Sequence, residues 1–142
     1  MIGFQICKRT RKVSADIVAK FRELPVANIS DSMSRLTAAG AKLRPIHAGG
    51  VLAGPAFTVK TRPGDNLMVH KALDIAEPGD IVVVDGGGDL TNSLIGEMMT
   101  AHAQQRGIAG ITTELPLLSL RSLVIFRCLL SFRGTNSPSS NS

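Results

Sequence analysis

The stretch Ile81-Val82-Val83-Val84-Asp85-Gly86-Gly87-Gly88-Asp89-Leu90-Thr91-Asn92-Ser93-Leu94-Ile95-Gly96-Glu97-Met98-Met99 decides the class of fold. Its first four residues are apolar and β-branched without interruption, as in a strand buried at the centre of a sheet. The three glycines that follow make a flexible loop, and the periodic run from Leu94 to Gln105 reads as a helix. Glycine backbone can approach a ligand closely, and free amides near a helix start favour a carboxylate or a phosphate. The triple glycine fits neither the phosphate-loop spacing nor the dinucleotide fingerprint, so taken alone it reads first as a plain loop.

Working outward, Pro78-Gly79-Asp80 closes a preceding helix, in which Leu67, Met68, Lys71, Ala72 and Ile75 carry the pattern and Asp65 is the expected N-cap. Before it, Phe57, Val59 and Thr61 alternate with Thr58 and Lys60, which predicts a strand over 55–62, with a second β-rich piece just upstream. Further upstream, Ser14 caps a helix over 14–24 whose stripe is Ala15, Ile17, Val18, Phe21 and Leu24, and Pro25 ends it. A second, shorter helix is expected to begin near Ser30, with Ser30 and Asp31 in capping roles. Downstream, Arg106-Gly107 ends the Leu94 helix, and Ile108 to Ile111 opens another buried strand.

Composition narrows the function classes. A chain of 142 residues that is 44% hydrophobic can bury one core. With no Trp, no Tyr and five Phe, it lacks the aromatic platforms on which nucleic-acid bases stack. The net charge of +5 is concentrated at the ends, in Lys8, Arg9, Arg11 and Lys12 and in the arginines of the last 28 residues. That distribution reads as a solvated extension, with no nucleic-acid partner. Cys7 and Cys128 have no metal or redox spacing, no secretory leader is evident, and Pro116, Arg121 and Arg127 break the one long apolar segment. These features predict a cytoplasmic protein without a membrane span.

Four pieces then fall in a distinctive order: Asn28-Ile29-Ser30-Asp31-Ser32; Leu52-Ala53-Gly54-Pro55-Ala56 with the strand to Thr61; Ala76-Glu77-Pro78-Gly79-Asp80 with Ile81 to Gly87; and Gly96-Glu97-Met98-Met99 leading to Arg106-Gly107-Ile108-Ala109-Gly110. In this order they resemble the RraA-like family, including the 4-hydroxy-4-methyl-2-oxoglutarate aldolases, over residues 13–111. The resemblance implies an α/β domain of the swivelling β/β/α type, assembled as a homotrimer. It also implies a small keto-acid substrate, retro-aldol cleavage releasing pyruvate with Mg²⁺ or Mn²⁺, and a secondary oxaloacetate decarboxylase activity. By the same resemblance Gly96, Glu97, Met98 and Met99 face the substrate. The family's Arg-Asp pair, Arg for substrate and Asp for metal, falls on Leu118 and Ser119, so no catalytic residue is assigned and the metal ligands are unknown. Neither side chain can replace the lost one, since hard divalent ions prefer anionic oxygen, and Arg121 is out of register. Reduced turnover is therefore expected. The alternatives are a non-catalytic RraA-type protein that regulates a ribonuclease, and an inactive fragment.

Other polar residues have plainer readings. His47, His70 and His102 are scattered and form no HxxxH pair. Asp85 reads as a turn-forming residue before Gly86, ahead of a metal or water contact. Glu97 suits the first turn of a helix through its dipole, and Met98 and Met99 would pass as core. The chain divides into a basic extension over 1–12, the family domain over 13–111 and an atypical tail over 112–142. The tail's last ten residues are expected to be disordered. The change of character after Ile111 suggests an altered reading frame, a splice variant or a degenerate gene end, leaving the C-terminal part of the domain incomplete.

Overall fold

The computed structural model describes residues 4–35, 50–88, 91–113 and 127–128. Its centre is a parallel sheet in the order β2 (Ala56–Lys60), β3 (Ile81–Asp85), β4 (Gly110–Thr113). The apolar run at 81–85 is the middle strand, so it is hydrogen-bonded on both sides, and Val82 is fully buried. Helix α3 (Leu67–Ile75) connects β2 to β3, and α4 (Glu97–Gln105) connects β3 to β4. Parallel neighbours require such crossovers.

Both helices cover one face of the sheet. Val59, Val82, Val84 and Ile111 from the strands pack with Val69, Ala72 and Leu73 of α3 and Met99 and Ala103 of α4. The opposite face takes a second β layer. Because Ile111 points to the helices, its neighbour Gly110 points away, and a Cβ there would lie 2.9 Å from Leu52 Cδ1. Leu52 belongs to β1 (Val51–Leu52), which pairs in parallel with β5 (Arg127–Cys128). The layers therefore run β, β, α, as the family resemblance implies.

Several boundaries differ from expectation for identifiable reasons. Helix α1 (Ala15–Glu23) forms as read, but it buries none of its side chains. The second helix, α2, is Val26–Ser32 and begins four residues before Ser30. Pro25 causes this: its φ of −61° sets up the first turn as readily as it ends α1. Ser30 and Asp31 are consequently inside or at the end of that helix, and Asp31 pairs with Arg35 at 2.7 Å instead of capping. Asn66, not Asp65, holds the N-cap position of α3, yet the Asp65 carboxylate accepts the Leu67 N–H at 3.0 Å. Helix α4 starts at Glu97, and Leu94 and Ile95 are buried in the core ahead of it, outside any helix or strand. Strand β4 continues to Thr113, past the change of character read at Ile111. Leu118, Ser119, Arg121, His47 and the last ten residues lie outside the described residues.

Candidate functional site at the carboxyl edge of the sheet

In open α/β sheets, ligands gather beyond the carboxyl ends of the strands. Here that edge is built from the ends of β2 and β3 and the starts of α3 and α4. The Thr61 N–H donates to the Asp85 carbonyl at 2.9 Å, extending the ladder one residue beyond β2. Asp85 Oδ1 accepts the Gly87 N–H at 3.1 Å, the turn expected from an aspartate before glycine. This turn brings the backbone around with Gly87 at φ 73° and Gly88 at φ 71°, conformations that side chains disfavour.

The loops that follow the two strands touch. A Cβ on Gly87 would lie 3.5 Å from Pro63, and one on Gly64 would lie 3.1 Å from Asn92 Nδ2. The Asn66 amide also reaches the Met99 sulfur at 3.9 Å, linking the first turns of α3 and α4. Both helix starts therefore converge on one edge.

Gly96 is the N-cap of α4 with φ −112° and ψ 177°, and among the described residues it supplies no side-chain cap hydrogen bond. A Cβ at Gly96 would have open space around it. The helix proper closes from Thr100, whose N–H donates to the Gly96 carbonyl at 3.2 Å. The N–H groups of Glu97, Met98 and Met99 precede the first residue with an intrahelical acceptor, so they form the positive end of the helix dipole. Of their side chains, Met99 turns into the core, whereas Met98 is 85% exposed and Glu97 is exposed. The four residues singled out from the sequence thus come together as an open, uncapped helix start, through backbone and not through side-chain chemistry.

Sequence reading missed the partner of Asp85. Lys60 Nζ lies 3.4 Å from Asp85 Oδ2, and the two residues stand opposite each other in the β2–β3 register. Only the strand pairing brings them together, so nothing local in the chain signals it. His102 is paired with Asp74 at 3.4 Å, away from this edge, and His70 lies on α3. Among the described residues no three His, Cys, Asp or Glu side chains converge as a metal centre. Of the carboxylates at the edge, Asp85 is committed to Gly87 and Lys60 and Asp65 to the Leu67 N–H, while Glu97 is exposed in the first turn of α4. The described side chains therefore do not by themselves fit a resident divalent ion.

The basic run is not free in solvent either. Arg9 Nη1 lies 2.6 Å from Asp80 Oδ2, and Lys12 pairs with Glu77, at the opposite, amino end of the sheet. Burial alone would raise the Asp80 carboxyl, but the Arg9 hydrogen bond, the Glu77 N–H and the charges of Arg9 and Lys12 together hold it below the ordinary value of 3.8.

Comparison with known proteins agrees with this architecture. Residues 26–114 match the family described as RraA-like, Aldolase/RraA. A relative from Halalkalibacterium halodurans, provisionally named a 4-hydroxy-4-methyl-2-oxoglutarate aldolase, is 34% identical over 120 residues, covering 84% of this chain and 57% of the relative. One from Burkholderia multivorans with the same provisional name is 42% identical over 72 residues, covering 51% of this chain and 43% of the relative. The chain spans about half the length of these curated relatives. Among solved structures, the RNA-processing inhibitor RraA from Thermus thermophilis superposes with a TM-score of 0.58 at 26% identity, covering 67% of this chain and 57% of that one. With sequence, layer order and relatives in agreement, the chain belongs to the RraA-like family.

Proposed function

We propose that the chain carries the keto-acid-binding edge of a 4-hydroxy-4-methyl-2-oxoglutarate aldolase, whose reaction is retro-aldol cleavage releasing pyruvate, with oxaloacetate decarboxylation as a companion activity. The observation that carries this reading is the start of α4 at Gly96, which has no side-chain cap among the described residues and is tied through Met99 to Asn66 at the start of α3. The amides of Glu97, Met98 and Met99 would hold the carboxylate or enolate oxygen that both reactions share, by the same physics that seats anions at helix starts. The open space at Gly96 leaves room for close approach. The names of the relatives support the substrate class.

When bound, Mg²⁺ or Mn²⁺ supplies Lewis-acid polarisation of a keto oxygen in such chemistry. The described residues do not furnish its ligands; by resemblance the metal-binding Asp position holds Ser119, and the substrate-binding Arg position holds Leu118. The reading therefore joins retained binding to weak turnover. A homotrimer in the cytoplasm belongs to the same proposal, and light scattering measures the assembly. No helix among the described residues is long and apolar enough to cross a membrane.

The test has two arms. Pyruvate titrated in the presence of Mg²⁺ is expected to bind, and Gly96→Ala, which fits the local space and backbone, is expected to weaken it about tenfold without changing the fold, because the added methyl occupies the approach to the amides. In a lactate-dehydrogenase-coupled assay, pyruvate release is expected to fall far below the roughly 1–10³ s⁻¹ of ordinary enzymes. Equal binding by the parent and Gly96→Ala would remove the site from this edge, and ordinary metal-dependent turnover would show that positions 118 and 119 are not the determinants.

A second reading is favoured by the superposition on an RNA-processing inhibitor: a protein-binding regulator of a ribonuclease, in which keto-acid turnover has no part. Inhibition of an RNase E-type enzyme by the purified chain, unaffected by Gly96→Ala, would select it.

A further inference from the structure

We propose that residues 4–13 are a charge-held strap, latched at Asp80, which fastens the N-terminal helices to the sheet and releases as a unit separate from global unfolding. The segment has no helix or strand of its own. Its apolar side chains cannot hold it, because Phe4, Ile6 and Val13 are all exposed. Helix α1, which follows, has no fully buried side chain, only Val18 and Phe21 being half-buried, and Ile29 of α2 is the next side chain to enter the core. What ties residues 4–13 themselves to the body is mainly charge, through Arg9 and Lys12.

The latch itself is well built. The Asp80 side chain is 0% exposed and that of Arg9 22%, with 2.6 Å between Arg9 Nη1 and Asp80 Oδ2. The same Oδ2 accepts the Glu77 N–H at 3.0 Å. Oδ1 has no hydrogen-bond donor of its own and relies on Lys12 Nζ, 3.5 Å away, while Lys12 also pairs with Glu77. The Arg9 guanidinium lies over the Phe57 ring, 5.9 Å from its centroid, so the side chain is guided across β2 to reach the turn. Away from the latch, Arg22 makes a long contact of 3.4 Å to the Ala53 carbonyl.

The position of Asp80 explains why one residue can serve as an anchor. Its carbonyl accepts the Ala109 N–H at 2.8 Å, its N–H donates to Glu77, and its neighbours Gly79 and Ile81 bond Gly107 and Pro55, each at 2.8 Å. The entries to β2, β3 and β4 thus meet at this turn, giving the carboxylate a rigid mount. A strap joined to a rigid body by a few charged contacts, with little apolar burial, opens at lower free energy than the body. Removing Arg9 alone leaves a buried carboxylate short of a partner and could unsettle the body as well. Replacing both members with amides, Arg9→Gln with Asp80→Asn, removes the attraction without leaving that charge behind.

The experiment uses the full chain with Cys128→Ser, so that a nitroxide attaches at the exposed Cys7. In the parent the label is expected to be slowed by the docked segment. In the Arg9→Gln/Asp80→Asn chain its rotational correlation time is expected to shorten at least threefold, with trypsin cleavage after Lys8, Arg11 or Lys12 at least tenfold faster. The urea midpoint read by far-UV circular dichroism is expected to stay within a tenth of the parent value, and Lys8→Gln to leave the label unchanged. Equal mobility and cleavage in parent and double variant would overturn the proposal. So would mobility that changes only in step with loss of the circular dichroism signal, which would make the strap part of the global unit.

Discussion

Single residues set the tightest constraints here, and two glycines show opposite reasons for being glycine. A Cβ at Gly54 would meet the Gly79 carbonyl oxygen at 2.5 Å and Ile81 at 3.1 Å. Both neighbours are fixed, so Gly54→Ala is expected to destabilise by about 1–3 kcal/mol, as overpacking of a closed core does; chemical denaturation measures it. Gly96 has open space and ordinary backbone, so its substitution should leave the melting temperature within about 2 °C. Asp80 gives a prediction in pH. Its folded pKa is lowered, so the unfolded chain takes up the proton first as pH falls. The stabilisation is fully present above the ordinary value of 3.8 and is lost as pH drops through the lower folded value. The nitroxide at Cys7 is expected to gain mobility in that acid range, and Asp80→Asn to remove this dependence on pH. The Gly54 and Asp80 effects are not legible in the sequence, because each depends on a contact between distant positions: Gly54 with Gly79, and Asp80 with Arg9.

At the scale of elements, local pattern was a good guide wherever burial and pattern agreed. The run at 81–85 gave a strand with those limits because four β-branched residues leave little else. Helix α3 began at Leu67 because Pro63-Gly64-Asp65 makes the turn and the Asp65 carboxylate meets the first amide. The pattern misled where apolar residues served another purpose: Leu94 and Ile95 belong to the helical pattern yet enter the core before α4 begins. The apolar stripe of α1 has the same kind of periodicity, and it forms a helix whose face is only half-buried, at Val18 and Phe21. An unequal response to truncation follows. Leu73→Ala in α3, at full burial, is expected to lose about 2–5 kcal/mol, whereas Ile17→Ala in α1 should change stability by less than about 0.5 kcal/mol. Denaturant midpoints of the two variants, with unchanged slopes, check this. Of the candidate site, Gly96 to Met99 were named from resemblance, and the uncapped helix start gives them a common geometry. Lys60 beside Asp85 stayed hidden because strand register is not written locally.

For the whole molecule, the layer order is the property most dependent on long-range pairing. The three-stranded sheet and its two helices form from a contiguous stretch between Ala56 and Thr113, each strand adjoining the next in sequence. The second β layer is different, since Val51 must find Arg127 from the far side of that whole stretch. Closing so large a loop delays a contact without forbidding it. Pulse-labelled hydrogen exchange during refolding is therefore expected to protect the amides of Val82 and Ile111 before that of Leu52. On a ribosome the same arrangement would make the first-emerging strand the last to be paired. Leu52, an apolar residue that ends up against Gly110, would wait in the company of chaperones while the sheet behind it is already complete.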